Sequence, residues 1–218
     1  MANSVLVLGN SGSGKSTSLR NLISEETMII NTIGKPLPFR GARSKYKPLS
    51  SDGLEGNYYA SDDPKTIRRI INLVNTKRPE IKQIVLDDFG YTITNSFMRK
   101  ASQKGYDRFI EIAKDTFDIL EAVNSIRDDL YCFVMMHTEI DTQGVHRCKT
   151  VGKMIDQYIC IEGKFSTVLH TVVSDGGYFF LTNFDGQHLC KTPLGAFDQL
   201  LIDNDLQLVK DTLEQYSQ

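Results

Sequence analysis

Gly9-Asn10-Ser11-Gly12-Ser13-Gly14-Lys15-Ser16-Thr17 follows directly on the apolar run Val5–Leu8, and nothing else in the 218 residues constrains the fold as strongly. The nine residues match G-x-x-x-x-G-K-[ST], the P-loop pattern. Its glycines let the backbone turn tightly enough for its N–H groups to surround a phosphate at the positive end of the following helix. Lys15 is spaced to reach β- and γ-phosphate oxygens, and the Ser16 hydroxyl to ligate Mg²⁺. Such a loop needs a strand to enter it and a helix to leave it. Val5–Leu8 supplies the strand, and Leu19, Leu22 and Ile23 share one face of the predicted helix. Gly9 to Thr17 are thus the expected nucleotide-binding residues.

The rest of the chain, alternating strands with helical patterns over residues 4–137, supports an α/β doubly wound domain. Thr27–Asn31 is a second predicted strand, followed by a surface excursion over 34–60 that holds three of the six prolines. Asp63-Pro64 signals a helix start, and Ile67, Ile70, Ile71 and Val74 form its buried stripe. Ile81–Leu86 is a third strand, ending in Asp87-Asp88. A helix after Gly105 is expected to bury Phe109, Ala113, Phe117, Leu120 and Val123. Leu130–Met136 is continuously apolar, as suits a strand covered on both faces. Beyond Asp156, short strands are expected at Tyr158–Ile161, Thr167–Val173 and Tyr178–Leu181, with a hairpin turn at Asp175-Gly176-Gly177. Residues 156–197 then form a β-rich, antiparallel extension of one domain spanning 1–218. Residues 198–218, with five acids and one lysine, suggest a solvated helix.

Composition narrows the class. The 40% hydrophobic and 24% charged residues exclude a disordered chain, and a net charge of −2 excludes a bulk polybasic nucleic-acid binder. No run approaches the ~18 apolar residues of a membrane span. The four cysteines contain no C-x-x-C pair, so free thiols in a reducing cytoplasm are expected. His137, His146 and Cys148 match no common zinc spacing.

Asp87 closes the strand Ile84-Val85-Leu86 in the Walker B manner, where a carboxylate can hold Mg²⁺ opposite Ser16. Asp88, next along, is the expected group to orient and deprotonate water, with Asp52 and Glu55 as more distant candidates. His137-Thr138 follows the buried strand at the position where a polar residue senses the γ-phosphate, so Lys15, Asp88 and His137 form the expected catalytic set. Basic residues gather in three loops: Lys35, Arg40, Arg43, Lys45 and Lys47; Arg99, Lys100, Lys104 and Arg108 with Tyr106; and Arg147, Lys149 and Lys153. All follow C-terminal strand ends, where ligands bind in open α/β sheets. The last two groups are the expected contacts to single-stranded DNA, by phosphate attraction and base stacking. Lys164 and Lys191 are candidates for fingers reaching a neighbouring subunit.

With these parts in place, the chain resembles phage-encoded RecA-like ATP-binding proteins linked to single-strand annealing. The more specific segments are Asp87-Asp88-Phe89, Phe97-Met98-Arg99-Lys100, Gly105-Tyr106, His137-Thr138, Val151 to Ile161, Tyr178-Phe179-Phe180-Leu181 and Lys191-Thr192-Pro193-Leu194-Gly195. The resemblance implies a RecA-like P-loop core: a mainly parallel sheet flanked by helices, with C-terminal antiparallel hairpins. It also implies ATP and Mg²⁺ as cofactors, ATP-dependent work on single-stranded DNA, a single-strand-binding protein as a partner, and assembly into rings or filaments with ATP between subunits. DNA loops would map to Arg99–Arg108 and Asp141–Lys153. RecA-type ATPases more often carry a Glu at the tip of the second strand, where this chain has Asn31 and Thr32. Two rival functions follow from the same loop. One is a nucleoside or nucleotide kinase, although Asp141–Lys153 has only one Arg for a lid. The other is a non-hydrolysing, ATP-dependent assembly protein. A GTP switch would need an N-K-x-D stretch that the sequence lacks.

Overall fold

The computed structural model describes residues 3–151 and 156–217. Their strands form one nine-stranded sheet: β1 (Ser4–Gly9), β2 (Thr27–Asn31), β3 (Tyr58–Ala60), β4 (Gln83–Asp87), β5 (Tyr131–Ile140), β6 (His146–Cys148), β7 (Thr167–Ser174), β8 (Gly177–Leu181) and β9 (Leu201–Asp203). The order is β3-β2-β4-β5-β1-β7-β8-β9, with β6 paired to the far end of β5. The first six positions run parallel, while β8, β9 and β6 are antiparallel to their neighbours.

Alternate residues of the central strands feed two different cores, which is why those strands are apolar throughout. Leu6, Leu8, Ile30, Leu86, Val134 and Met136 face helices α2 (Pro64–Lys77) and α4 (Asp107–Asn124). Val5, Val7, Ile29, Val85, Phe133 and Met135 face Leu19, Leu22 and the C-terminal helix α5 (Leu206–Tyr216). Helix α2 begins where expected: Asp63 caps the Thr66 N–H at 2.8 Å, Pro64 opens the first turn, and Ile67, Ile70, Ile71 and Val74 are buried.

Several expectations are corrected. The segment after the P-loop is a six-residue 3₁₀ turn, Ser16–Asn21, and not a long helix, and Ile23 is exposed. Its end is held by the C-terminal segment: Arg20 donates to the Asn204 carbonyl and Asn21 to Asp205. Helix α5 is therefore no solvated appendage, since Leu206, Val209 and Leu213 are buried. Strand β7 lies parallel to β1 in the body of the sheet, and only β8 and β9 form an antiparallel margin. Tyr158–Ile161 is a turn whose Ile159 and Ile161 are buried, not a strand. In α4 the buried face is Ile112, Ala113, Thr116, Ile119, Leu120 and Val123, so Ala113, Leu120 and Val123 lie as expected, while Phe117 stays 39% exposed under the Lys164 ammonium. Helix α3 (Gly90–Arg99) and strands β3, β6 and β9 come with no expectation from the sequence. Short helix α1 (Ala42–Lys45) and β3 lie within the otherwise irregular 34–60 excursion. The hairpin turn at Asp175-Gly176 forms as expected, both residues having positive φ.

Candidate functional site

The strand register brings the chemistry together. Asn31 pairs with Asp87, Gly9 with His137, and Leu8 with both Met136 and His170, so the C-terminal ends of β2, β4, β5, β1 and β7 line up. Because β5 lies between β1 and β4, its tip residue His137 stands between the glycine loop and the acidic pair.

Gly12 and Gly14 adopt φ of +77° and +100°, left-handed conformations open to glycine and strained for other residues. Packing supports the loop from the β7 side. A Cβ on Gly9 would overlap the Thr171 hydroxyl, which also bonds Ser13, and a Cβ on Gly14 would strike the Tyr178 ring at 2.8 Å. Gly12, Gly14, Lys15, Ser16 and Thr17 line a cleft of about 340 Å³ with Asp87, Asp88, His137, Lys35 and Tyr178. A second cleft, of about 410 Å³, opens beside it between Asn10, Ser11, Tyr91, Thr94, His137 and Lys149.

Lys15 lies back on its own loop, donating to the Gly9 and Asn10 carbonyls at 2.8 and 2.9 Å. Its ammonium also meets His137 Nδ1 at 3.3 Å. An ammonium only donates, so Nδ1 accepts and the imidazole proton resides on Nε2, 3.3 Å from the Asp88 carboxylate. Lys15, His137 and Asp88 therefore form one hydrogen-bonded chain. Thr138 ties the same strand end to the loop through the Asn10 side chain at 2.9 Å. Burial pushes the Lys15 pKa down to about 8 against the pull of Asp88 and Asp87.

The two acids are tuned in opposite directions. Burial, with the charge of Asp88, raises Asp87 to about 6, against the Ser16 hydrogen bond and the charges of Lys15 and Lys35. Burial also acts to raise Asp88, but the hydrogen bond from His137 and the positive charges of Lys15 and Lys35 outweigh it and hold that carboxyl below its ordinary value. Asp88 adopts φ +60°, a left-handed conformation costing an L-residue about 1–2 kcal/mol. Thr32 secures it by donating to the Asp87 and Asp88 carbonyls. Strain of this kind concentrates at functional positions.

Ser16 Oγ donates to Asp87 Oδ1 at 2.9 Å, and Asn31 approaches the other carboxylate oxygen at 3.4 Å. A hydroxyl and a nearly fully buried carboxylate that lacks a full countercharge form a hard oxygen donor set that fits Mg²⁺. Asn31 occupies the second-strand tip and is structural: its Oδ1 accepts from the Ile33 and Gly34 N–H groups and so shapes the turn leading to Lys35.

The expected DNA residues separate. Arg99 pairs with Asp62 at 2.7 Å, Lys100 with Glu111 and Arg147 with Asp141. Arg108 donates to the Lys100, Ala101 and Gln103 carbonyls and stacks on Phe97 and Phe109, so it builds the 100–106 loop. Lys104 and Tyr106 are exposed on that loop, Tyr106 at 68%. Lys149 lines the second cleft, and Lys153 lies outside the described residues. Asp52 and Glu55 belong to the 50–56 turn around Ser50, away from the clefts at the glycine loop. Lys164 pairs with Glu121 ahead of β7, at the opposite sheet edge from the P-loop, and Lys191 is exposed beside β7.

Sequence reasoning missed Lys35 and Tyr178 as site residues. Lys35 reaches both clefts, with its ammonium 5.7 Å from the Tyr91 ring centroid, but in sequence it was one of five bases in a loop. Tyr178 reaches Gly14 only because β8 folds back along β7. No helix among the described residues is long and apolar enough to cross a membrane. Neither a scan against protein-family models nor a search of curated proteins finds a match to this chain.

Proposed function

We propose that the chain is a Mg-ATP-dependent ATPase with a RecA-like core that acts on single-stranded DNA in recombination, annealing or repair. The observation that carries the catalytic part is the Lys15–His137–Asp88 chain beside the Ser16–Asp87 pair, all at the mouth of a left-handed glycine turn. The strand between β1 and β4 supports the RecA-like assignment, because it places a polar residue between phosphate loop and acid.

Lys15 leaves the Gly9 and Asn10 carbonyls to bind the β- and γ-phosphates, which breaks its contact with His137. The His137 Nδ1 lone pair is then free to accept from a donor or to be protonated, and His137 swings toward the γ-phosphate or stays on Asp88. Asp88 orients the attacking water and accepts its proton, while Lys35 adds positive charge where negative charge develops. Ser16 and Asp87 would hold Mg²⁺, which supplies charge neutralisation between the phosphates. Loss of the γ-phosphate returns Lys15 to His137, and β5 passes that change to the Asp141–Arg147 turn that follows it.

The DNA part rests on Lys149 in the second cleft and on exposed Lys104 and Tyr106, which are suited to a phosphate backbone and a stacked base. Arg99, Lys100, Arg108 and Arg147 serve as scaffolding for these loops. ATP turnover measured with and without single-stranded oligonucleotide tests the whole reading. Stimulation that is lost in Lys104→Ala/Tyr106→Ala/Lys149→Ala supports it, and identical rates with and without DNA remove the DNA assignment.

A further inference from the structure

Three of the four histidines, distant in sequence, converge away from the phosphate site. His146 lies on β6, His170 on β7 and His188 in the loop that follows β8. One ring nitrogen from each lies within 4.8 Å of the other two, and the His146–His188 and His170–His188 ring centroids are 4.5 and 4.4 Å apart. Backbone bonds hold the three segments together: His146 N–H donates to the Gln187 carbonyl at 2.7 Å, and Val168 and Lys191 exchange two bonds.

The hydrogen bonds of these rings set which nitrogens face inward. His188 Nδ1 donates to Asp185 Oδ2 at 2.8 Å, while Asp185 Oδ1 accepts from the His188 and Gln187 N–H groups, fixing both tautomer and loop. His170 Nδ1 donates to the Thr171 carbonyl at 3.0 Å, which leaves its Nε2 a bare lone pair, buried and without a hydrogen-bond partner among the described residues. His146 Nδ1 is likewise buried without one. Leaving a buried polar atom unpaired is costly, so a ligand that takes up these lone pairs is favoured. A ligating histidine whose other nitrogen donates to a carboxylate or a backbone carbonyl is the usual outer support of a metal centre.

We propose that His146, His170 and His188 bind a borderline divalent cation, Zn²⁺ foremost, with a fourth position open to water. Imidazole nitrogen suits zinc, whereas Mg²⁺ takes oxygen donors. Zinc–nitrogen bonds of about 2.0–2.1 Å require the three nitrogens to draw together slightly, and the 185–188 loop is the segment that moves. The cation would clamp the β5–β6 hairpin, β7 and that loop into one unit, on the face of β7 opposite Thr171 and the phosphate loop.

The test uses the full chain, stripped with chelator and then titrated with Zn²⁺ in excess Mg²⁺ to keep the Ser16–Asp87 site occupied. One equivalent of zinc is expected to be retained, and Co²⁺ in its place should give visible d–d bands with imidazole ligation. His188→Ala, at the loop, should remove both signals, and Asp185→Asn should weaken zinc about 10–100-fold by loosening His188. Unchanged circular dichroism keeps these losses attributable to ligation. The site is refuted if the wild-type chain holds no zinc beyond that of His146→Ala/His188→Ala, or if the Co²⁺ bands survive in His188→Ala.

Discussion

On the β5 side of strand β1, Lys15, His137, Asp88 and Asp87 crowd opposite charges against a strained backbone; on the β7 side, the His146, His170 and His188 rings pack on one another with a single carboxylate, Asp185, at their margin. Burial acts on both clusters, with different results. Beside β5 it is opposed by partners, so Asp88 stays ionised and Lys15 titrates near 8. Beside β7 burial is reinforced by neighbouring imidazoles, and His170 is pushed down to about 3. The first arrangement suits a charged ligand that comes and goes. The second holds buried imidazole nitrogens unpartnered among the described residues, as the proposed cation requires.

The largest effect should come from the charged cluster. Asp88→Asn is expected to cut ATP turnover by about 10²–10⁴ while leaving nucleotide affinity nearly intact, measured by steady-state rate and equilibrium titration. Equal turnover in that variant moves the base elsewhere. Lys15→Ala should weaken ATP about 100-fold, the value of a charge-assisted contact near 3 kcal/mol; retained affinity would remove the P-loop assignment.

The two clusters should also answer acid with opposite sign. Asp87 has a folded value near 6, above the unfolded carboxyl near 3.9, so its ionisation costs stability as pH rises through that window. Asp87→Asn should therefore gain about 3 kcal/mol at pH 8 and little at pH 4, while wild-type Mg-nucleotide affinity falls as pH drops below about 6. His170 has a folded value below the unfolded 6.5, so stability present above that pH is lost as pH falls toward 3. Between pH 7 and 5 this removes about 2 kcal/mol, a slope that His170→Asn should flatten in chemical denaturation. A wild-type slope unchanged by either variant would erase the contrast. Arg20→Ala, which frees the 3₁₀ turn from Asn204, is the mildest, at about 1 kcal/mol of stability.

Local signals carried much of this structure. Val5–Leu8 and Leu130–Met136 declare buried strands because both sheet faces are covered, and Asp63-Pro64 declares a helix start through capping alone. The acidic pair and His137 were legible because each ends such a strand. What escaped depends on pairing between distant segments. Nothing within Thr167–Val173 says that it will lie parallel to β1, yet that choice seats Thr171 behind the P-loop and His170 opposite His146 and His188. Phe109 and Phe117 share helical spacing with the true core positions of α4, and only the neighbouring α2 and sheet decide that Ile112 and Ile119 face inward. Leu19 and Leu22 are buried from a 3₁₀ turn as readily as from an α-helix, so their spacing does not distinguish the two, and Ile23 falls outside the buried face.

The link from Arg20 to Asn204 spans 184 positions of the chain, and β1 is flanked only by strands that come much later. During synthesis, the glycine loop therefore precedes both strands that flank β1 and the segment that anchors the turn after it. A nascent chain ending before β7 lacks Thr171 behind Gly9 and Tyr178 beside Gly14, and one ending before Asn204 lacks the anchor of the turn after Ser16. The glycine loop therefore takes its final support only after β7 and β8 have been made.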